Sequence, residues 1–404
     1  GGRHPGHPRR IFEPLATCRT LESPVRVCTV RQCGLQDGGM CLGLELENVG
    51  AESVQLLKDL LFACHRNGFQ VNLDEQVKQP LSPKSPKSCW QHYFQNRHVV
   101  TVVQRPQISG ECLCAVLRNL SEHGVNIVKI QRLSVHKLAA LQITVNLPGD
   151  LEGSEDFSSQ LLGLARTLGA DIAFQKDDVD RWMRRLIVFD MDSTLIQQEV
   201  IDELAKIAGV GEEVKALTEA AMRGELNFYE SLKARVQLLK GHHAEDLFRQ
   251  VKQNLVFTPG AKKLCSTLKK LGYKMAVISG GFLPVAQEVQ RELGLDYAFA
   301  NTLEVDEKTG LLTGSTCGPV VTPQRKRALL AMIANVEGCE VQQTIAVGDG
   351  ANDIPMLNTA GLGIAFCAKP KVQAATEFHI NHQDLTSVLF LIGLSEHATE
   401  RLAG

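Results

Sequence analysis

The sequence predicts an α/β fold in its C-terminal half, a parallel sheet covered on both faces by helices, preceded by one or two smaller α+β units. Three observations carry this. From Arg184 onward, the apolar runs Leu186 to Phe189, Met275 to Ile278 and Thr344 to Val347 each lead into a polar or glycine-rich loop and then a helical pattern. Strands buried on both faces read this way. Between about residues 97 and 179 the order is instead strand, helix, strand, strand, helix, strand, which is the ferredoxin-like arrangement. Finally, the segment PLSPKSPKS at 80–88 has no apolar periodicity and marks a linker.

Composition bounds the function classes. A chain of 404 residues suits two or three compact cores. With 44% hydrophobic and 22% charged residues and a net charge of −2, it has no basic field for nucleic acid. No run approaches the roughly 20 apolar residues of a membrane span, so a soluble, cytoplasmic protein is expected. The 12 cysteines include no C-x-x-C pair and are expected to be reduced. Cys112 and Cys114 lie two apart on a helical pattern and point to different faces. Residues 1–24 read as a disordered tail. Arg3, Arg9 and Arg10 precede the first acid, Glu13, which leaves organelle targeting open.

Within the α+β unit at about 97–179, His98 to Val103 alternates as a strand, and Leu113, Val116, Leu117 and Leu120 form a helical stripe over 110–123. Two β-rich runs follow, Val125 to Val135 and Leu138 to Leu147, then a helix over Phe157 to Leu168 and a strand over Asp171 to Gln175. With its RPQISGE turn and the GVNIVKIQRLS segment after the helix, this stretch resembles an ACT domain. The resemblance implies a serine-binding regulatory role, with Gly110 in the strand-to-helix turn as the first position to test, or a dimerising role in a homodimer. Residues 25–90 contain a fainter strand, strand, helix order at Val25 to Val30, Met40 to Leu46 and Glu52 to Cys64, a degenerate ACT-like copy followed by the linker.

The chemistry sits at strand ends in the second half. LIVFDMDSTLIQQE, 186–199, places Asp190 and Asp192 two apart at a strand tip, so extended geometry turns both carboxylates to one pocket. Two carboxylates that close need a cation or a shared proton. KMAVISGGF, 274–282, ends on Ser279, Gly280 and Gly281, a hydroxyl and amides suited to cradle phosphate at a helix start. TPQRKR, 322–327, offers Lys326 as a point charge for a phosphoryl oxygen. TIAVGDGANDIPML, 344–357, brings Asp349, Asn352 and Asp353, hard oxygen donors that suit Mg²⁺. Each signal alone is weak, because loop aspartates and basic helix faces are common.

Taken in this order, the motifs Asp190/Asp192/Thr194, Ser279, Lys326 and Asp349/Asp353 resemble those of the haloacid dehalogenase superfamily. The resemblance implies a Rossmann-like sheet over 184–404 with a helical cap at about 199–257. It also implies an aspartyl-phosphate mechanism: Asp190 as nucleophile, Asp192 as general acid and base, and Mg²⁺ on Asp190, Asp349 and the main-chain oxygen of Asp192. Ser279, Gly280 and Lys326 would bind phosphate, while Thr194 and Asp353 support the site, Asp353 by orienting Lys326 or a metal-bound water. Within the cap, AMRGELNFYESLKARV supplies Met222, Phe228 and Arg235, and Glu199 begins it. An arginine grips an α-carboxylate and a carboxylate receives an α-ammonium. These segments, with GLGIAFCAKPKV at 361–372, resemble superfamily members that hydrolyse phosphoserine, the last step of serine biosynthesis. That implies a substrate pocket of Glu199, Met222, Phe228, Arg235 and Asn352. Two other readings are a phosphatase for another small phosphorylated amino acid, and a non-catalytic amino-acid sensor. The intact motif positions speak against the sensor.

Overall fold

The computed structural model describes residues 26–34, 40–47 and 97–403, apart from 136, 138, 150 and 152–154. The expected tail at 1–24, the helix at Glu52 to Cys64 and the linker at 80–88 lie outside these residues. In the first unit, strands β1 (Arg26–Gly34) and β2 (Met40–Glu47) pair antiparallel.

The second unit begins with a four-stranded antiparallel sheet. Its elements run β3 (Arg97–Val103), α1 (Gly110–Glu122), β4 (Asn126–Arg132), β5 (Ala140–Asn146), α2 (Glu155–Leu168) and β6 (Asp171–Lys176), and the strand order is β4-β5-β3-β6. The two helices pack Cys112, Val116, Leu120, Phe157 and Leu161 onto Val100, Val102, Ile143 and Ile172 of the sheet. Cys112 is buried and Cys114 exposed, as expected of residues two apart on an amphipathic helix. Gly110 is the first residue of α1, not part of the preceding turn; Ser109 is the N-cap and accepts from the Cys112 amide. A Cβ at Gly110 would meet nothing within 4 Å.

A short helix α3 (Val179–Trp182) leads into the larger sheet: β7 (Leu186–Phe189), then helices α4 (Val200–Ala208), α5 (Gly211–Met222), α6 (Phe228–Leu238), α7 (Ala244–Gln253) and α8 (Ala261–Lys270). There follow β8 (Lys274–Phe282), α9 (Leu283–Leu293), β9 (Tyr297–Val305), β10 (Leu312–Cys317), α10 (Pro323–Val336), β11 (Thr344–Gly348), α11 (Ile354–Leu357), β12 (Leu362–Phe366), α12 (Pro370–Gln373), β13 (Phe378–Ile380), α13 (Ser387–Leu391) and α14 (Glu396–Ala403). The strand order is β10-β9-β8-β7-β11-β12-β13. All are parallel except the edge strand β10. β7 is central, and all four of its residues are buried because helices cover both faces.

The two sheets meet through polar contacts. Asp171 on β6 accepts from the Asn381 amide (3.0 Å), from Asn381 Nδ2 (2.9 Å) and lies 2.8 Å from His382 Nδ1. Arg184 donates to Gln175 (2.7 Å) and to the Gly361 carbonyl (3.1 Å). Among the described residues no helix is long and apolar enough to cross a membrane.

Candidate active site

The site lies at the carboxyl ends of β7, β8 and β11, where an open parallel sheet places its ligands. β7 ends at Phe189, and the chain then enters a tight turn, Met191–Leu195, in which Ser193 adopts φ +56°. Asp190 and Asp192 both keep extended backbones, with φ/ψ of −69°/163° and −66°/134°. Met191 between them is fully buried in the core. The alternation expected of the D-x-D pair thus survives past the last paired residue of the strand.

Lys326, in the second turn of α10, reaches the same point from the other side. Its Nζ donates to Asp190 Oδ1 at 2.6 Å and to Asp353 Oδ1 at 2.7 Å. Thr322 caps this helix by accepting from the Arg325 amide. Asp353 also accepts from the Gly350 amide through Oδ2 at 3.0 Å, which closes the turn after β11. Thr194 donates to Asp349 Oδ1 at 3.1 Å. Single carboxylate oxygens of Asp190, Asp349 and Asp353 lie within 4.8 Å of one another, an arrangement that can hold a metal ion. Asp192 contributes no side-chain oxygen to that group, and its Oδ1 is buried without a partner.

The electrostatics fit a cation. Burial, then repulsion from Asp353, Asp349 and Asp192, pushes the Asp190 carboxyl well above its ordinary range, against the pull of Lys326. Asp192 is raised by burial and by Glu199. Burial, Asp353 and Glu199 raise Asp349 to about 7. Burial alone would lower the Lys326 ammonium, but Asp190 and Asp353 hold it above its usual value. Among the described residues, the carboxylates of Asp190, Asp192, Glu199, Asp349 and Asp353, with Asp202 beside Glu199, have Lys326 and Arg235 as their cationic neighbours. Hard oxygen donors with this charge deficit suit a divalent cation.

The phosphate cradle differs from its expected form. Ser279, Gly280 and Gly281 belong to β8 itself, and α9 starts only at Leu283. The Gly281 amide is already engaged, donating to Ser279 Oγ at 2.8 Å. The reason is a break in register: Ile278 pairs with Phe299 and Phe282 with Asn301, so the intervening residues bow out of the ladder. A Cβ on Gly281 would lie 2.8 Å from Asp192 Oδ2 and 3.0 Å from Ser279 Oγ, which places all three around one small space.

The helices α4 to α7 supply the remaining candidates. Glu199 is the N-cap residue of α4 and accepts from Ser193 Oγ at 2.7 Å. Solvent reaches the residue, yet crowding by protein raises its carboxyl, with Ser193 and Arg235 acting in the opposite sense. Arg235 on α6 is half-buried and donates through Nε to the Ser231 carbonyl at 3.2 Å. Burial lowers its guanidinium, while Asp202, Glu199 and Asp192 oppose this. Phe228 opens α6, and its Cζ would lie 3.5 Å from a Cβ on Gly280, so its ring borders the cradle. The Asn352 carboxamide oxygen packs against Gly350 in the turn after β11. The Met222 side chain lies outside the described residues.

Sequence reasoning missed three residues. Ser193 was in view within the D-S-T motif, but its hold on Glu199 needs the left-handed turn. Asp202, one helical turn beyond Glu199, acts on both Glu199 and Arg235. Asn301 bonds the Gly280 carbonyl from a neighbouring strand, and no local pattern announces it.

Residues 184–361 match the haloacid dehalogenase-like hydrolase family and residues 96–175 match the ACT domain family. The phosphoserine phosphatase of Streptomyces coelicolor is 43% identical over 342 residues, covering 85% of this chain and 80% of the relative. That of Mycobacterium tuberculosis is 36% identical over 403 residues, 99% of this chain and 93% of the relative. Among solved structures, the probable phosphoserine phosphatase of Vibrio cholerae superposes with a TM-score of 0.57 at 34% identity, covering 76% of this chain and 90% of that one.

Proposed function

The chain belongs to the phosphoserine phosphatase family of haloacid dehalogenase-like hydrolases, and we infer that it hydrolyses O-phospho-L-serine to L-serine and phosphate, the last step of serine biosynthesis. The observation that carries this is the buried array of Asp190, Lys326 and Asp353 beside Asp349, with Glu199 and Arg235 close to it.

In this reading Asp190 attacks phosphorus. A bond forms from its carboxylate oxygen to phosphorus as the serine ester bond breaks, splitting one displacement into two. Asp192, held above its ordinary range by burial and Glu199, enters protonated and gives its proton to the departing serine oxygen. As a carboxylate it then takes a proton from the water that cleaves the aspartyl-phosphate. Lys326 holds Asp190 in place and neutralises a phosphoryl oxygen, with Ser279 and Gly280 beside it, and Asp353 fixes the ammonium. Asp190, Asp349 and the main-chain oxygen of Asp192 would hold Mg²⁺, which when bound supplies positive charge against the phosphoryl oxygens. Arg235 takes the substrate carboxylate and Glu199 its ammonium, while Phe228 and Asn352 line the pocket.

The ACT-type region is read as the site of a serine effector, with Gly110 as the first position to test, and as part of a homodimer. Exposed Ile127, Val128 and Ile130 on the edge strand β4 support a second copy there. The six cysteines whose side chains are described, Cys112, Cys114, Cys265, Cys317, Cys339 and Cys367, are unbridged, which supports a cytoplasmic setting. A phosphate-release screen over small phosphate esters, with and without Mg²⁺, tests the whole reading. Phosphoserine should lead by a wide margin and only with the metal; preference for phosphothreonine or an ester lacking the amino-acid group would overturn it.

A further inference from the structure

Asn301 lies on β9, 2% exposed, and its side chain joins two separate pieces of the site. Nδ2 donates to the Gly280 carbonyl at 2.7 Å, and Oδ1 accepts from the Val321 amide at 2.7 Å. The partners fix the orientation of the carboxamide, because a carbonyl can only accept and an amide N–H can only donate. Along β8 four steps, Ile278 to Phe282, run against two on β9, Phe299 to Asn301. Such a bulge removes backbone groups from the ladder and leaves them to find other partners. The Gly280 carbonyl finds the Asn301 amide.

The other end of Asn301 acts on Lys326. Val321 directly precedes Thr322, whose side chain caps α10 and whose carbonyl accepts from the Lys326 amide at 2.9 Å. One buried carboxamide therefore sets the bulge of the phosphate cradle and the start of the helix that delivers the ammonium. We propose that Asn301 is a positioning residue that holds the Gly280–Gly281 peptide and Lys326 at a fixed separation around the phosphoryl group. It touches no substrate. This rests on the phosphatase reading above.

Asn301→Asp tests it with almost no change of shape. The acceptor for Val321 remains, but a carboxylate oxygen replaces the donor and faces the Gly280 carbonyl. Inorganic phosphate, the product, is the probe, because its inhibition constant does not depend on how much of the sample is active. That constant is expected to rise on the order of tenfold, the scale of one buried hydrogen bond turned repulsive. KM for phosphoserine and for p-nitrophenyl phosphate should rise by the same factor, since the cradle meets only the phosphate. Asn301→Ser, too short to bridge both partners, should show the same pattern and is read in its place if the aspartate variant does not fold. A lowered specific activity with an unchanged phosphate constant overturns the proposal in favour of a purely structural asparagine, as does failure of both variants to fold. A wild-type protein that neither hydrolyses phosphoserine nor is inhibited by phosphate would instead sink the phosphatase reading.

Discussion

Lys326 Nζ stands 2.6 Å from Asp190 Oδ1 and 2.7 Å from Asp353 Oδ1, and none of the three residues is more than 4% exposed. Removing the ammonium leaves two carboxylates uncompensated in a buried site. Breaking such a pair by truncating one partner costs about 3–5 kcal/mol. Lys326→Met is therefore expected to lose both activity and stability, with a lower unfolding midpoint in urea. An unchanged midpoint would mean that the three side chains do not share this arrangement in solution.

Asp190→Asn should behave in the opposite way towards stability. The amide cannot form a phosphoryl ester, so turnover should fall to trace level. It also removes one of the crowded carboxylates, whose repulsion raises Asp190 itself. The metal-free variant should thus melt at or above the wild-type temperature. Activity persisting at a substantial fraction of wild type would remove Asp190 as nucleophile.

If Arg235 takes the substrate carboxylate, as proposed, its removal separates recognition of the amino acid from recognition of phosphate. It lies close enough to Glu199 and Asp202 to interact with both, and among the described residues its hydrogen bond is made by Nε, to the Ser231 carbonyl, so the terminal nitrogens can meet a carboxylate. Arg235→Ala should raise KM for phosphoserine at least about tenfold, the scale of a lost charge-assisted hydrogen bond, and leave p-nitrophenyl phosphate little changed. Equal losses on both esters would count against this assignment.

The acid cluster gives the metal-free protein an unusual pH response. Burial, Asp353 and Glu199 raise Asp349 to about 7, and burial first of all raises Asp190, Asp192 and Glu199 as well. Between the ordinary carboxylate range and pH 7 the folded state then binds more protons than the unfolded chain, so stability falls as pH rises through this window. Without divalent cation, thermal unfolding should occur several degrees higher at pH 5.5 than at pH 8. Added Mg²⁺ should recover the loss at pH 8, and its binding near pH 6.5 should release protons, measurable by calorimetry in buffers of different ionisation enthalpy. A flat profile in the absence of metal would show that these groups do not titrate together.

The positions of the acidic residues were legible where a motif is local. Asp190, Asp192 and Asp349 follow apolar strands, and strand ends are where a parallel sheet presents its ligands. The ferredoxin-like order of 97–176 was readable for a similar reason, since each element carries its own period. The bulge at Ser279 to Gly281 was not legible, because register depends on β9, some twenty residues away. Asn301 stayed hidden for that same reason: a lone asparagine on a strand has no pattern until its two backbone partners are known. Nor could the sequence place Asp171 against Asn381 and His382, a contact across more than two hundred residues.

The glycines of the site offer a final test, because the space beside each one differs. A Cβ on Gly280 would meet only the Phe228 ring, at 3.5 Å, which is ordinary contact. On Gly281 it would lie 2.8 Å from Asp192 Oδ2 and 3.0 Å from both Met191 Cε and Ser279 Oγ. These are side-chain atoms that can shift, but two of them belong to groups assigned to the reaction. Gly363 on β12 is different again, since there the Cβ would run into the Leu357 carbonyl, which is backbone and cannot give way cheaply. Gly280→Ala should therefore keep most activity, and Gly281→Ala should fold normally yet lose kcat by one to two orders of magnitude, as small misplacement of reacting groups does. Gly363→Ala should fail at the level of folding, with a lowered unfolding midpoint and little change in KM for the molecules that remain active. Measured together by thermal melts and steady-state kinetics, the three variants distinguish a cradle shaped by contact with Asp192 from one that is merely rich in glycine. If Gly281→Ala matched Gly280→Ala in kcat, the closeness of Asp192 to the cradle would carry no catalytic weight.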